Sequence, residues 1–193
     1  MVEGSNLVQT KTRATVKDLY HVPENGKAEL VNGEVVPMSP TGIDPTYAAG
    51  EVFVSLREYS RETKTGRAVP DNAGFLANLS QRQSFSPDAA YYPSTPRGME
   101  FFRDAPSFAV EVRSSGDYGP AAERAMTAKR ADYFAAGTLV VWDVDLLSAD
   151  VVQVYRADTP DLPTIYRRGE WAEAEPAVPG WSMPVDDLFP PDW

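Results

Sequence analysis

Apolar residues recur along this chain with two different periods. In PTYAAGEVFVSLREYSRETKTG, Ala49, Val52, Phe53, Leu56 and Tyr59 follow helical spacing, and Gly66 is the expected stop. GPAAERAMTAKRADYFAAG reads as a second helix ended by Gly137. TVKDLYHVP predicts a shorter helix, with Thr15 as N-cap and Asp18 at its third position. Elsewhere the period shortens to two. AELVNGEVVPM offers two β runs joined by Asn32-Gly33, a strong hairpin signal. A type I′ turn there pairs Val31 with Glu34 and Glu29 with Val36, putting Glu29 and Glu34 on one face.

Further β-like segments surround GRAVPDNAGFLANL and SFSPDAAYY, and FAVEVRSS reads as the most buried strand. TLVVWDVD and VVQVYR form an expected strand pair across LLSAD. PSTPRGMEFFRDAP is a proline-punctuated loop with two exposed-looking aromatics and two arginines. From about Ala157 the chain is rich in proline and acids, which predicts a covering hairpin and a tail. Helices interleaved irregularly with strands predict an α/β (α+β) fold, a central mixed sheet flanked by helices. The expected division is an N-terminal segment over 1–14, a core over 15–156, and a C-terminal hairpin with a Pro-rich tail over 157–193 on the same domain.

Composition narrows the chemistry. The 193 residues are 42% hydrophobic, enough for one globular core. No apolar run approaches the ~20 residues that span a bilayer, and MVEGSNLVQTKTR lacks an apolar signal core. No membrane association is expected, and a cytoplasmic protein is the default. Without cysteine there is neither a disulfide framework nor a thiolate metal site. The single histidine, His21, falls at the end of the first helix and reads as a surface residue. One histidine argues against Ser-His-Asp, Cys-His and His-rich zinc chemistry together. The net charge of −10 weighs against binding nucleic acid through bulk electrostatics, though not against a local site.

Glu111 poses the sharpest question. Phe108, Val110 and Val112 line one side of FAVEVRSS, while Glu111 and Arg113 take the other. A buried carboxylate needs a partner, and a contact with Arg113 or with another element would supply one. Asp88, after Pro87 in SFSPDAAYY, is a second acid among small and aromatic residues. Lys129 lies near the centre of a stripe formed by Ala122, Met126, Lys129 and Tyr133. Its amine can snorkel outward or reach over the sheet to the carboxylates. Were Asp88 and Glu111 neighbours ~5 Å apart, they would repel by roughly 3 kcal/mol at an effective dielectric of ~20. A raised pKa or a divalent cation relieves that repulsion, and oxygen ligands suit magnesium or manganese. With a lysine that stabilises developing charge, phosphodiester cleavage is the matching reaction.

These stretches, AELVNGEVVPMSP, SFSPDAAYY, FAVEVRSSGDYG and AKRADYFAAGTLVVWDVD followed by VVQVYR, occur in one order across most of residues 15 to 156. In that order they resemble the Uma-type restriction endonuclease family of the PD-(D/E)xK nucleases. The resemblance implies a restriction-endonuclease-like fold and a magnesium- or manganese-dependent endonuclease acting on nucleic acid, DNA foremost. It implies that Asp88 and Glu111 bind the metal and that Lys129 replaces the lysine usually found two residues after the glutamate, where Arg113 stands. Glu29 matches the leading glutamate of the family's Glu-Leu-x-x-Gly-Glu segment as a further catalytic acid, with Glu34 reading as turn-adjacent. Many relatives carry a histidine after the Met-Ser-Pro segment, and TGIDPTY has none. Arg113 cannot serve as a base but can contact phosphate, and Arg97 and Arg103 beside Phe101 and Phe102 are further candidates for substrate contact. Nucleases that cut both strands suggest a homodimer by analogy. Two other readings stand beside this one: a catalytically inactive nuclease-fold binding module, and a purely structural ion-pair network.

Overall fold

Thr15 opens the first helix, α1 (Val16–Leu19), where its backbone N–H and hydroxyl both donate to Asp18 Oδ2, at 2.6 and 2.9 Å. That capping box gives a four-residue helix the end contacts it cannot supply from its own ladder. In this computed structural model, residues 13–23 and 26–191 are described. The expected segment 1–14 therefore lies largely outside the described residues, as do residues 192–193. His21 is exposed, with Nδ1 2.7 Å from the Lys17 carbonyl.

The hairpin of β1 (Ala28–Val31) and β2 (Glu34–Pro37) has the expected register, Val31 opposite Glu34 and Glu29 opposite Val36. Asn32 and Gly33 both take positive φ, 52° and 75°, as a type I′ turn requires. Helix α2 (Ile43–Thr63) buries Ala48, Ala49, Val52 and Leu56. It stops at Lys64, which is left-handed at φ 58°, and not at Gly66. Gly66 serves another purpose. A Cβ there would lie 2.5 Å from the Tyr92 carbonyl oxygen, so only glycine lets the two segments approach.

The remaining strands are β3 (Arg67–Pro70), β4 (Phe75–Leu76), β5 (Ser84–Phe85), β6 (Ala89–Tyr92) and β7 (Phe108–Val112). After helix α3 (Pro120–Ala135) come β8 (Val140–Val144), β9 (Val152–Arg156), β10 (Thr159–Tyr166), β11 (Trp171–Glu173) and β12 (Ser182–Pro184). Six strands make the central sheet in the order β10-β9-β8-β7-β6-β3. Only β7 and β8 are parallel, and α3 is the crossover between them. The sheet is mixed, as the alternation of elements implied.

Its two faces are covered unequally. Phe108, Val110, Val112, Val140, Trp142 and Val144 pack in the main core with Val52 and Leu56 of α2 and with Trp181, Met183 and Leu188 from the C-terminal region. The opposite face carries a smaller cluster of Ala109, Val141, Phe75, Phe85 and Tyr133. The C-terminal region does more than cover. β10 pairs antiparallel with β9 and extends the sheet, while β11 and β12 form the covering hairpin. The two loop aromatics are packed rather than exposed: Phe101 stacks on Tyr20 at 4.1 Å and Phe102 on Phe75 at 4.6 Å. No helix among the described residues is long and apolar enough to cross a membrane.

Candidate active site

Strand alternation decides which way Glu111 faces. Val110 and Val112 point into the main core, so Glu111 points to the other side, under α3. There Lys129 Nζ lies 2.8 Å from both carboxylate oxygens, and the Tyr133 hydroxyl donates to Oε1 at 2.7 Å. Lys129 and Tyr133 are four residues apart on α3, one turn, so one helix face delivers both. Stacking of Tyr133 on Phe85 at 4.0 Å fixes that face over the sheet. Of the two alternatives for Lys129, the amine turns inward.

Glu29 arrives from a different element. The β1–β2 hairpin docks on the stretch before β6 through Leu30 N–H to Ser84 Oγ (2.8 Å), Gln83 N–H to the Leu30 carbonyl (2.9 Å) and Asn32 N–H to the Gln81 carbonyl (2.8 Å). This docking carries Glu29 to Lys129, 2.9 Å from Oε1 to Nζ. Oε1 also accepts from Ser86 N–H at 2.9 Å, and Oε2 accepts from Arg82 Nη1 at 2.5 Å. Arg82 in turn donates from Nε to Asp132 Oδ2 at 2.8 Å. Glu34, on the same hairpin face, lies at the exposed end by the turn.

The electrostatics of the two glutamates diverge. Burial pushes the Glu111 carboxyl up to about 7, with the charges of Asp88 and Glu29 adding to the rise and Lys129 opposing it. Burial acts on Glu29 in the same sense, but Lys129, Arg82 and the Ser86 N–H outweigh it and hold that carboxyl below its usual range. Burial also opposes the charge on Lys129, yet Glu111 and Glu29 keep the ammonium protonated well above its ordinary value. Lys129 is therefore a cation at neutral pH.

Asp88, just before β6, touches the same strand from the side. Its Oδ2 accepts from Val112 N–H at 2.8 Å, and its own N–H donates to the Val110 carbonyl at 3.0 Å. Asp88 thus bridges the residues on either side of Glu111, through its side chain to one and its backbone to the other. Its Oδ1 meets Lys27 Nζ at 2.6 Å, and the same ammonium lies 2.6 Å from Asp71 Oδ1. Glu29, Asp88, Glu111, Lys27 and Lys129 all line one cleft of about 1160 Å³, with Met38, Ser114 and Met126 on its walls.

Arg113 also lines the cleft, but its guanidinium is engaged behind it. Nε and Nη2 grip Asp143 at 2.7 and 2.9 Å, and Nη1 and Nη2 reach Glu123 in the first turn of α3. Arg113 and Glu111 thus find separate partners and no bond with each other. Arg97 and Arg103 are exposed on the loop between β6 and β7 and do not line the cleft. Sequence reasoning passed over Lys27, Asp71, Arg82 and Asp132. Lys27 had a usable signal, since it lies two residues before Glu29 and an extended chain puts both on one side. Arg82 had none, because its reach to Glu29 depends on how the hairpin docks.

The cleft lining carries five acids, Glu29, Asp71, Asp88, Glu111 and Asp117, against the four cations Lys27, Arg82, Arg113 and Lys129. Among the described residues, no three of His, Cys, Asp and Glu are grouped as an all-protein metal cage. Asp88 and Glu111 still offer hard oxygen donors at a water-accessible cleft. Each carboxylate oxygen has two lone pairs, so the bonds to Lys27, Lys129 and Val112 do not exhaust them. Two ligands with the remaining positions taken by water is how magnesium is commonly held. The donor set fits such an ion.

A crystal structure of "a putative nuclease belonging to DUF820" from Anabaena variabilis ATCC 29413 superposes with a TM-score of 0.71, at 17% sequence identity, covering 91% of this chain and 97% of that one. At that identity the likeness establishes the fold, an α+β nuclease-like architecture around a mixed six-stranded sheet. No curated protein matches the chain. Residues 14–186 match the family Uma2, described as "Putative restriction endonuclease", so the chain belongs to the Uma2 family.

Proposed function

We propose that this chain is a metal-dependent endonuclease that hydrolyses phosphodiester bonds of DNA in the cleft above β7. The reading rests on one observation: Glu29 and Glu111, from separate elements, meet a single buried ammonium, that of Lys129, with Asp88 bonded to the next residue of the same strand. Asp88 and Glu111 would hold magnesium or manganese, and the excess of negative charge around them suits a dication. That ion supplies Lewis-acid charge at the phosphate when bound. Lys129, cationic at neutral pH, donates hydrogen bonds to the attacking water or to the charge that develops on the phosphate oxygens. Glu29, kept ionised by Lys129 and Arg82, anchors that ammonium in place. Arg113 holds the first turn of α3 through Glu123 and so sets the height at which Lys129 enters.

A second reading is favoured by a specific feature. Glu29, Asp88 and Glu111 each already carry a lysine partner within 2.9 Å, which an inactive binding module would also require. Supercoiled DNA, linear DNA and RNA, each incubated with the protein in manganese, separate the two. The nuclease reading expects DNA cleavage that needs the ion and falls at least 100-fold in Lys129→Met and in Asp88→Asn. Binding without cleavage by the unaltered chain, or cleavage undiminished in Lys129→Met, rejects it.

A further inference from the structure

We propose that Lys27 is a tethered counter-ion for Asp88, occupying that carboxylate until a divalent cation arrives and then passing to Asp71. The proposal rests on the metal-dependent reading of the cleft and names the residue that tunes its cation affinity. The geometry is specific. Asp88 Oδ2 is pinned by the backbone N–H of Val112, whereas the partner of Oδ1 is a mobile side chain that can move aside for a cation, Lys27 Nζ at 2.6 Å. The same Nζ is 2.6 Å from Asp71 Oδ1, so the second resting place is already in contact.

The three side chains differ in how they are held. Lys27 and Asp88 are 14% and 18% exposed, while Asp71 is 48% exposed at the end of β3. A dication at Asp88 would face the Lys27 ammonium at hydrogen-bond spacing, and that like-charge repulsion favours the partner farther out. A lysine stem is flexible and its ammonium has three donors, so moving from two carboxylates to one needs no backbone change. The donor released from Asp88 then faces the cleft, where a phosphate oxygen can accept it. Lys27 would neutralise the acid in the empty site and the substrate in the filled one.

Manganese binding, followed by calorimetry or by electron paramagnetic resonance of the free ion, tests the exchange without any turnover. Lys27→Met should bind manganese at least tenfold more tightly than the unaltered chain, with Lys27→Gln as a second variant should the first fail to fold. Asp71→Asn, which leaves Lys27 only Asp88, should bind at least threefold more weakly. In the Lys27→Met background that Asp71→Asn effect should shrink to under twofold. Unchanged or weaker binding in both Lys27 variants, with Asp88→Asn still abolishing uptake, overturns the exchange and leaves the metal site standing. An Asp71→Asn effect of equal size in both backgrounds overturns the hand-over. Absence of manganese uptake by the unaltered chain and the Lys27 variants overturns the exchange and the metal-dependent reading together.

Discussion

The raised pKa of Glu111 makes the stability of this fold depend on pH in an unusual direction. Most buried carboxylates in ion pairs are stabilised as anions, and their contribution is lost in acid. Glu111 behaves oppositely, because burial lifts its carboxyl from 4.5 to about 7 despite the contact with Lys129. The protonated form is favoured in the folded chain. Its stabilising contribution is therefore full below about pH 4.5 and is lost as pH rises through about 7. At roughly 1.4 kcal/mol per pKa unit, the swing amounts to about 3 kcal/mol between pH 4.5 and pH 8. Glu111→Gln removes the titration and keeps the shape. The substitution also changes the bonds to Lys129 and Tyr133, but that offset is the same at every pH and cancels in the comparison. Urea unfolding followed by tryptophan fluorescence is suitable, since Trp142 and Trp181 are both buried in the main core. The stability of Glu111→Gln minus that of the unaltered chain should grow by about 3 kcal/mol from pH 4.5 to pH 8. A difference that is flat across this range, or that shrinks as pH rises, would refute the electrostatic account of the cleft floor.

Substitutions at three other positions have definite outcomes. Arg113→Met leaves the buried Asp143 only its longer contact with Arg130, at 3.8 Å, and should cost about 3 kcal/mol, read as a lowered urea midpoint. Arg113→Lys should lose less, since a single ammonium can meet Asp143 but not grip it through two nitrogens. Gly66→Ala places a methyl 2.5 Å from the Tyr92 carbonyl, and thermal melting should show a loss of about 1–3 kcal/mol. Arg82→Met leaves Glu29 and Asp132 without their shared guanidinium; it should destabilise the chain by about 3 kcal/mol or more at neutral pH.

The elements were largely legible because they follow local rules. Periodicity placed α2 and α3, Asn32-Gly33 fixed the hairpin register, and strand alternation separated Glu111 from the apolar side of β7. The nearness of Glu29, Asp88, Glu111 and Lys129 came from the ordered resemblance rather than from spacing, since the four lie on different elements. What stayed hidden depends on docking. The contact of Arg82 with Glu29 exists only because the hairpin lies along residues 81–84. The stop of α2 at Lys64 defied the glycine rule because Gly66 was required for a close approach instead. The role of β10 could not be read from its composition. A strand with two prolines is tolerated at the open edge of a sheet, and that is where β10 lies.

Helix α3 shows why the cleft charges matter beyond the cleft. Only Tyr133 among its residues is fully buried, so hydrophobic burial alone does not hold the helix on the sheet. Many of its other attachments involve charged side chains and are distributed along its length. Glu123 meets Arg113, Lys129 meets Glu111 and Glu29, Arg130 lies over Tyr155 at 3.6 Å, and Asp132 meets Arg82. Two of these anchors, Glu111 in β7 and Arg113 just past its end, clamp the helix at two heights with opposite charges. Protonating Glu111 weakens the grip on Lys129 but leaves the Arg113–Glu123 contact, the Arg82–Asp132 contact and the stacking of Tyr133 on Phe85 intact, so the response falls on the ammonium and not on the helix. The same arrangement that lets one ammonium serve two acids makes the placement of that ammonium depend on whatever else neutralises them.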